Sequence, residues 1–126
     1  MSRKVLLIED EPNIIEAVRF LLSRDGFDVS THSDGATAIE TIVQMEPDLI
    51  ILDMMLPGLS GMDILRQLRE RETMQSLPVL MLTARGQSRD RETAEKAGVN
   101  RFMTKPFSNA EVLTAVRDLL AQASQS

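Results

Sequence analysis

The chain of 126 residues has no cysteine, no tryptophan and no tyrosine, and only 4 phenylalanines. Without cysteine there is no disulfide framework, no thiol nucleophile and no zinc site of cysteine type. With so few rings, little is available for stacking on bases or sugars. Basic charge is also short. The 14 Lys and Arg face 19 Asp and Glu, for a formal net charge of -5, which argues against a non-specific nucleic-acid surface or an anionic membrane surface. A partner is expected to be a protein or a cation. Long apolar runs are missing too. Val5 to Ile8 ends in Glu9-Asp10-Glu11, so the basic start does not open a signal peptide, and Leu49 to Leu52 is stopped by Asp53 long before it could span a bilayer. These absences predict a soluble, cytoplasmic protein with no membrane partner.

What is present suffices for one core. Apolar residues make up 43% of the chain, with 8 Met supplementing the scarce aromatics. The expected organisation is one domain over 1–121 and a small, polar, frayed tail over 122–126. Strand-like runs recur at Lys4 to Ile8, Phe27 to Thr31, Leu49 to Leu52, Val79 to Thr83 and Arg101 to Thr104, each followed by helical periodicity. Three of them are apolar throughout, as strands covered on both faces should be. The prediction is an α/β fold with a doubly wound parallel sheet of five strands and five helices. Pro12 and Gly26 bracket the first helix, and further helices are expected over Gly35 to Gln44 and Gly61 to Arg71. Ser108 and Glu111 have capping-box spacing ahead of Val112, Leu113, Val116, Leu119 and Leu120. The fourth helix, about Ser88 to Ala97, offers only Ala94 and Ala97 as apolar anchors, so it should be weakly held.

In an open parallel sheet, ligands bind at the carboxyl ends of the strands. Here those ends carry Glu9-Asp10-Glu11, Asp53, Thr83-Ala84 and Thr104-Lys105-Pro106. Right-handed crossovers can bring them together, so that three or more carboxylates meet one lysine and one hydroxyl. Converging carboxylates raise one another's pKa unless a cation or donors compensate. An all-oxygen set favours magnesium, with manganese as the second choice, and such a site suits a phosphoryl group whose charge metal and lysine can share.

The segments Leu6-Leu-Ile-Glu-Asp-Glu11, Asp53-Met-Met-Leu-Pro-Gly58 with Gly61, Leu82-Thr-Ala84 and Lys105-Pro-Phe107 resemble the receiver domain of two-component response regulators. The resemblance covers essentially the whole chain. It implies a flavodoxin-like sheet of order 2-1-3-4-5. Asp53 would be the phosphoacceptor, taking the phosphoryl group from a sensor histidine kinase or phosphotransfer protein. Asp10, Asp53 and the Met55 backbone carbonyl would hold Mg2+, with Glu9 standing where the family often has Asp and acting through water. By the same resemblance Lys105, aimed inward by a cis bond to the following Pro106, would pair with the phosphoryl oxygens, and Thr83 would donate its hydroxyl to them. Phe102 would be the aromatic that follows Thr83, and Met55, Ala84 and Arg85 would modulate loss of the phosphoryl group.

Plainer roles compete for several residues. Glu11 before Pro12 reads as a helix cap, Phe102 fits core packing as well as switching, and His32 reads as a solvated loop residue. Two rival functions are a pseudo-receiver that never takes phosphate, and a phosphohydrolase, which would need an Asp-x-Asp pattern where Asp53-Met-Met stands. A partner face is expected at Arg91, Glu95, Arg101 and Glu111. Winged-helix members of the family dimerise there through ion pairs, but Asn100 and Arg101 stand where acids are usual, Ala97 and Ala115 carry no charge, and Lys96 with Arg117 would place like charges together. One remaining exposed pair contributes at most about 1 kcal/mol. The expectation is a mainly monomeric, single-domain regulator that docks a downstream protein and binds no nucleic acid directly. The alternative is a receiver cut from a DNA-binding transcriptional regulator.

Overall fold

The computed structural model describes residues 2–84 and 88–124. Its strands are β1 (Lys4–Ile8), β2 (Asp28–His32), β3 (Leu49–Asp53), β4 (Val79–Thr83) and β5 (Arg101–Thr104). Its helices are α1 (Pro12–Arg24), α2 (Ala38–Met45), α3 (Gly61–Glu70), α4 (Ser88–Ala97) and α5 (Asn109–Ser124), with 3-10 turns at Gly35–Thr37 and Glu72–Met74. All strand pairs are parallel, in the order β2-β1-β3-β4-β5. The expected doubly wound sheet is therefore the observed one.

The uninterrupted apolar strands explain the layering. Because side chains alternate across a strand, Val5, Leu7, Leu49, Ile51, Leu80 and Leu82 face one way and pack on Val18 and Leu22 of α1 and Val112 and Val116 of α5. Leu6, Ile8, Ile50, Leu52, Val79 and Met81 face the other way, onto Ala38 and Ile42 of α2, Ile64, Leu65 and Leu68 of α3, and Ala94 of α4. Burying each Leu or Ile this way contributes about 1.5–3 kcal/mol. The strand order reverses between β1 and β3, which opens a cleft beyond their carboxyl ends.

Several boundaries differ from the sequence expectation. β2 runs one residue further, so His32 is its last residue instead of a loop residue, and His32 Nε2 lies 2.8 Å from Thr37 Oγ1. β3 takes in Asp53 because Met54 N–H continues the ladder, donating to Leu82 O at 2.8 Å. The second helix opens as a 3-10 turn, with Asp34 Oδ1 accepting from Ala36 N. α5 continues through Ser124, covering 122–124 of the stretch expected to be tail, as alanine and glutamine propagate a helix already docked. Glu11 occupies the N-cap position of α1 but makes no side-chain cap hydrogen bond. The α5 capping box is formed: Glu111 N–H donates to Ser108 Oγ at 3.1 Å and Ser108 N–H to Glu111 Oε1 at 3.3 Å. Among the described residues, no helix is long and apolar enough to cross a membrane.

Candidate functional site

Four strand ends deliver the polar residues of the cleft. Glu9 follows β1 and is completely buried, because its N–H is drawn onto His32 O at 2.9 Å. Asp10, the next residue, is exposed. Asp53 ends β3 with 4% exposure, and its Oδ1 accepts from Met55 N at 3.2 Å. Thr83 ends β4, fully buried, and its hydroxyl donates to Met54 Sδ at 3.7 Å. Lys105 follows β5. Its N–H donates to Thr83 O at 2.7 Å, and the Lys105–Pro106 bond is cis. From that position the ammonium reaches Glu9 Oε1 at 2.8 Å, Asp53 Oδ2 at 3.5 Å and Glu11 Oε2 at 3.9 Å.

The electrostatics follow from crowding. Burial is the main reason that the Glu9 carboxyl is pushed up to about 8. The neighbouring Asp53 adds to the rise and Lys105 works against it. Burial disfavours the Lys105 ammonium, yet the hydrogen bond to Glu9 and the charges of Asp53 and Glu9 outweigh it and hold its pKa above the ordinary value. One lysine therefore does not neutralise this site. Glu9, Asp10 and Asp53 each offer a carboxylate oxygen, all within 4.8 Å of one another, a hard-oxygen donor set that fits a divalent cation such as magnesium. An ion there would supply the missing positive charge.

The remaining expected residues divide into three groups. Met55 is exposed at 59%, beside the cleft, and Ala84 is also exposed. Arg85 lies outside the described residues. Arg91 sits with its guanidinium carbon 5.6 Å from the centre of the half-buried Phe102 ring, and a hollow lined by Arg91, Glu95, Val99, Asn100, Arg101 and Phe102 marks the expected partner face. Side chains near that face have in-chain surroundings. Glu111's carboxylate is engaged in the α5 capping box, and the uncharged Ala115 is in the core. Arg117 pairs with Asp25, its Nε 3.0 Å from Oδ2, on the side of α5 that faces the end of α1. Arg101 finds Asp118 at 3.7 Å within the same chain.

Sequence reasoning missed two groups. Met54, read only as filler, is the sulfur partner of Thr83, and its place next to Asp53 was the available signal. Arg69 looks like an ordinary basic residue in a last helical turn. In the fold its guanidinium donates to Gly98 O at 2.9 Å, Met74 O at 2.7 Å and Asn100 Oδ1 at 2.9 Å, while Asn100 Oδ1 also accepts from Val79 N at 2.8 Å. No local pattern announces contacts with partners up to 31 residues away.

Comparison with known proteins bears on this geometry. The family model described as "Response regulator receiver domain" matches residues 5–117. The chain is 40% identical over 123 residues to the alkaline phosphatase synthesis transcriptional regulatory protein PhoP of Bacillus subtilis (strain 168), with 98% of this chain and 50% of that protein covered. It thus spans about half the length of that curated relative. Among solved structures, a putative response regulator from Chloroflexus aurantiacus J-10-fl superposes with a TM-score of 0.91 at 30% identity, covering 96% of this chain and 99% of that one. The receiver domain of sensor histidine kinase PA1611 from Pseudomonas aeruginosa PAO1, solved with a magnesium ion coordinated in its active-site cleft, superposes with a TM-score of 0.87 at 30% identity and the same coverage.

Proposed function

The chain belongs to the response regulator receiver domain family of two-component signalling, and from that premise we propose that it is switched by phosphorylation of Asp53. The observation that carries this reading is the Asp53 carboxylate, nearly buried at the end of β3, 3.5 Å from the Lys105 ammonium and grouped with Glu9 and Asp10. The donor is a sensor histidine kinase or a phosphotransfer protein. An Asp53 oxygen attacks phosphorus, the histidine N–P bond breaks with its electrons returning to the imidazole, and a mixed anhydride forms. Glu9, Asp10, Asp53 and the Met55 carbonyl would hold magnesium, or manganese, which when bound supplies positive charge beside the transferring group. Lys105 turns from its carboxylates to a phosphoryl oxygen, and Thr83 moves its hydroxyl from the Met54 sulfur to another. Met55, Ala84 and Arg85 would modulate the later hydrolysis of the anhydride by water, so the chain also catalyses its own dephosphorylation.

Output runs through the face formed by Arg91, Glu95, Arg101 and Phe102 to a downstream protein in the cytoplasm. The in-chain partners of Arg101 and Glu111 support a mainly monomeric state, since those two charges are already engaged within the chain. The 40% identity to a transcriptional regulatory protein favours a second reading, a receiver that serves a DNA-binding output, and a tight symmetric dimer of the phosphorylated form in light scattering would select it. The receiver unit itself is read as 1–121.

The acceptor is tested with a small phosphodonor and magnesium. Wild type should gain one acid-stable, base-labile phosphoryl group. Labelling that persists in Asp53→Asn, or that proceeds unchanged in excess chelator, overturns the assignment.

A further inference from the structure

The segment between β3 and α3 carries Met55, and it is pinned at two points by backbone from other elements. Met54 O accepts from Gly61 N at 2.9 Å, at the entrance of α3. Pro57 O accepts from Gly35 N at 3.0 Å, in the 3-10 turn that leads into α2. The second contact is unusually close. A Cβ at Gly35 would stand 2.1 Å from Leu59 O, 2.8 Å from Leu59 N and 2.9 Å from Pro57 O. Every obstructing atom is main chain, so no side-chain rotation relieves the clash. The fit is reciprocal. Gly58, at φ 87°, lies where a Cβ would come within 3.0 Å of Ala36 N and 3.1 Å of Asp34 Oδ1, and that same Asp34 oxygen holds Ala36 N at 3.0 Å. Two turns from different parts of the chain thus interlock through the side-chain-free faces of glycine.

β2 contributes no residue to the acid cluster, yet the turn after it fixes the loop that follows Asp53. We propose that Gly35 is a positioning residue for phosphotransfer: by admitting the Pro57–Leu59 backbone, it clamps the acceptor loop and sets the Met55 carbonyl relative to the Asp53 carboxylate. The inference rests on the acceptor reading above. Misplacement of such a loop by about 1 Å can slow chemistry by about 10²-fold.

The test compares full-chain Gly35→Ala with Gly26→Ala. Unlike Gly35, Gly26 has positive φ, at 94°, but a Cβ there meets nothing within 4 Å, so this control carries backbone strain without touching the loop. Three quantities are measured in each: initial labelling rate with acetyl phosphate and magnesium, Mn2+ affinity, and amide exchange at Met55 to Leu59 in the unphosphorylated protein. Gly35→Ala should label about 10- to 100-fold more slowly, bind Mn2+ more weakly and exchange faster in that segment, whereas Gly26→Ala stays within about twofold of wild type on all three. If Gly35→Ala does not fold, Asp34→Ala, which removes the Ala36 contact without adding an atom, should show the same pattern at about threefold. Unchanged exchange over Met55 to Leu59, or equal losses in the Gly26 control, overturns the clamp. A wild type that takes no phosphoryl group overturns the acceptor reading instead, and the two failures are separable because exchange is read without phosphate.

Discussion

The last two helices pack on opposite faces of one sheet and are held by different means. α5 buries Val112, Ala115, Val116, Leu119 and Leu120, and its start is locked by the Ser108–Glu111 box. α4 buries Ala94, with Ala97 half-buried, and its far end is tied by polar contacts, Gly98 O and Asn100 Oδ1 both accepting from Arg69. Its exposed face sets Arg91 on the Phe102 ring. An element anchored by one methyl group and two backbone or amide oxygens can shift at little cost, while one anchored by four aliphatic side chains cannot. On the proposed reading, the difference separates the scaffold that holds the acid cleft from the surface that would report on it, and β4 lies between them, with Thr83 at the cleft and β5 with Phe102 beside α4.

The strongest test of this division is truncation. Leu119→Ala in α5 should cost about 2–5 kcal/mol in denaturant unfolding, as for other buried leucines, whereas Ala94→Gly in α4 should cost only about 1 kcal/mol. Equal losses would break the comparison. Next is the pH response of the strand ends, which belongs to neither helix. In metal-free protein the Glu9 carboxyl titrates at about 8 against an ordinary value of 4.5, so the folded state binds its proton more tightly. Its stabilising contribution is fully present below about pH 4.5 and is lost as pH rises through about 8, on the order of 5 kcal/mol in total. Chelator-treated wild type should therefore weaken between pH 5 and 8.5 while Glu9→Gln stays flat, with the pH bounds set about the two titration points. Hydrogen exchange provides the third test. Amides of 88–97 should exchange at least about tenfold faster than those of α5, and a phosphoryl mimic should change α4 alone. Smallest of all, Arg91→Ala should move stability by no more than about 0.5 kcal/mol, yet weaken capture of the downstream partner.

How much of this was legible in the sequence depends on how local the cause is. Pro12, Gly26 and the Ser108–Glu111 spacing mark helix ends because caps act within four residues, and the structure places them as expected. Uninterrupted runs such as Leu49 to Leu52 require cover on both faces, which is why a doubly wound sheet could be read directly. Asp53 after such a run is conspicuous, since a carboxylate there needs partners. Two details escaped for the opposite reason. Pairing with Ile8 of β1 carries β2 on to His32, and the carboxylate of Glu11, which does stand at the N-cap position, makes no cap hydrogen bond and lies 3.9 Å from Lys105, far along the chain.

The sequence by itself therefore determined the order of elements, the two-sided core and which polar residues stand at the strand ends, because periodicity, capping and alternation are encoded within a few residues of where they act. Only the tertiary structure decided how those groups meet. It put Glu9 fully inside against Lys105, gave the Thr83 hydroxyl the Met54 sulfur, spent Glu111 on a cap and Arg117 on Asp25, and pressed Gly35 onto the backbone of Leu59. Those outcomes depend on distances between segments tens of residues apart, and burial, charge coupling and backbone contact all take their magnitude from such distances.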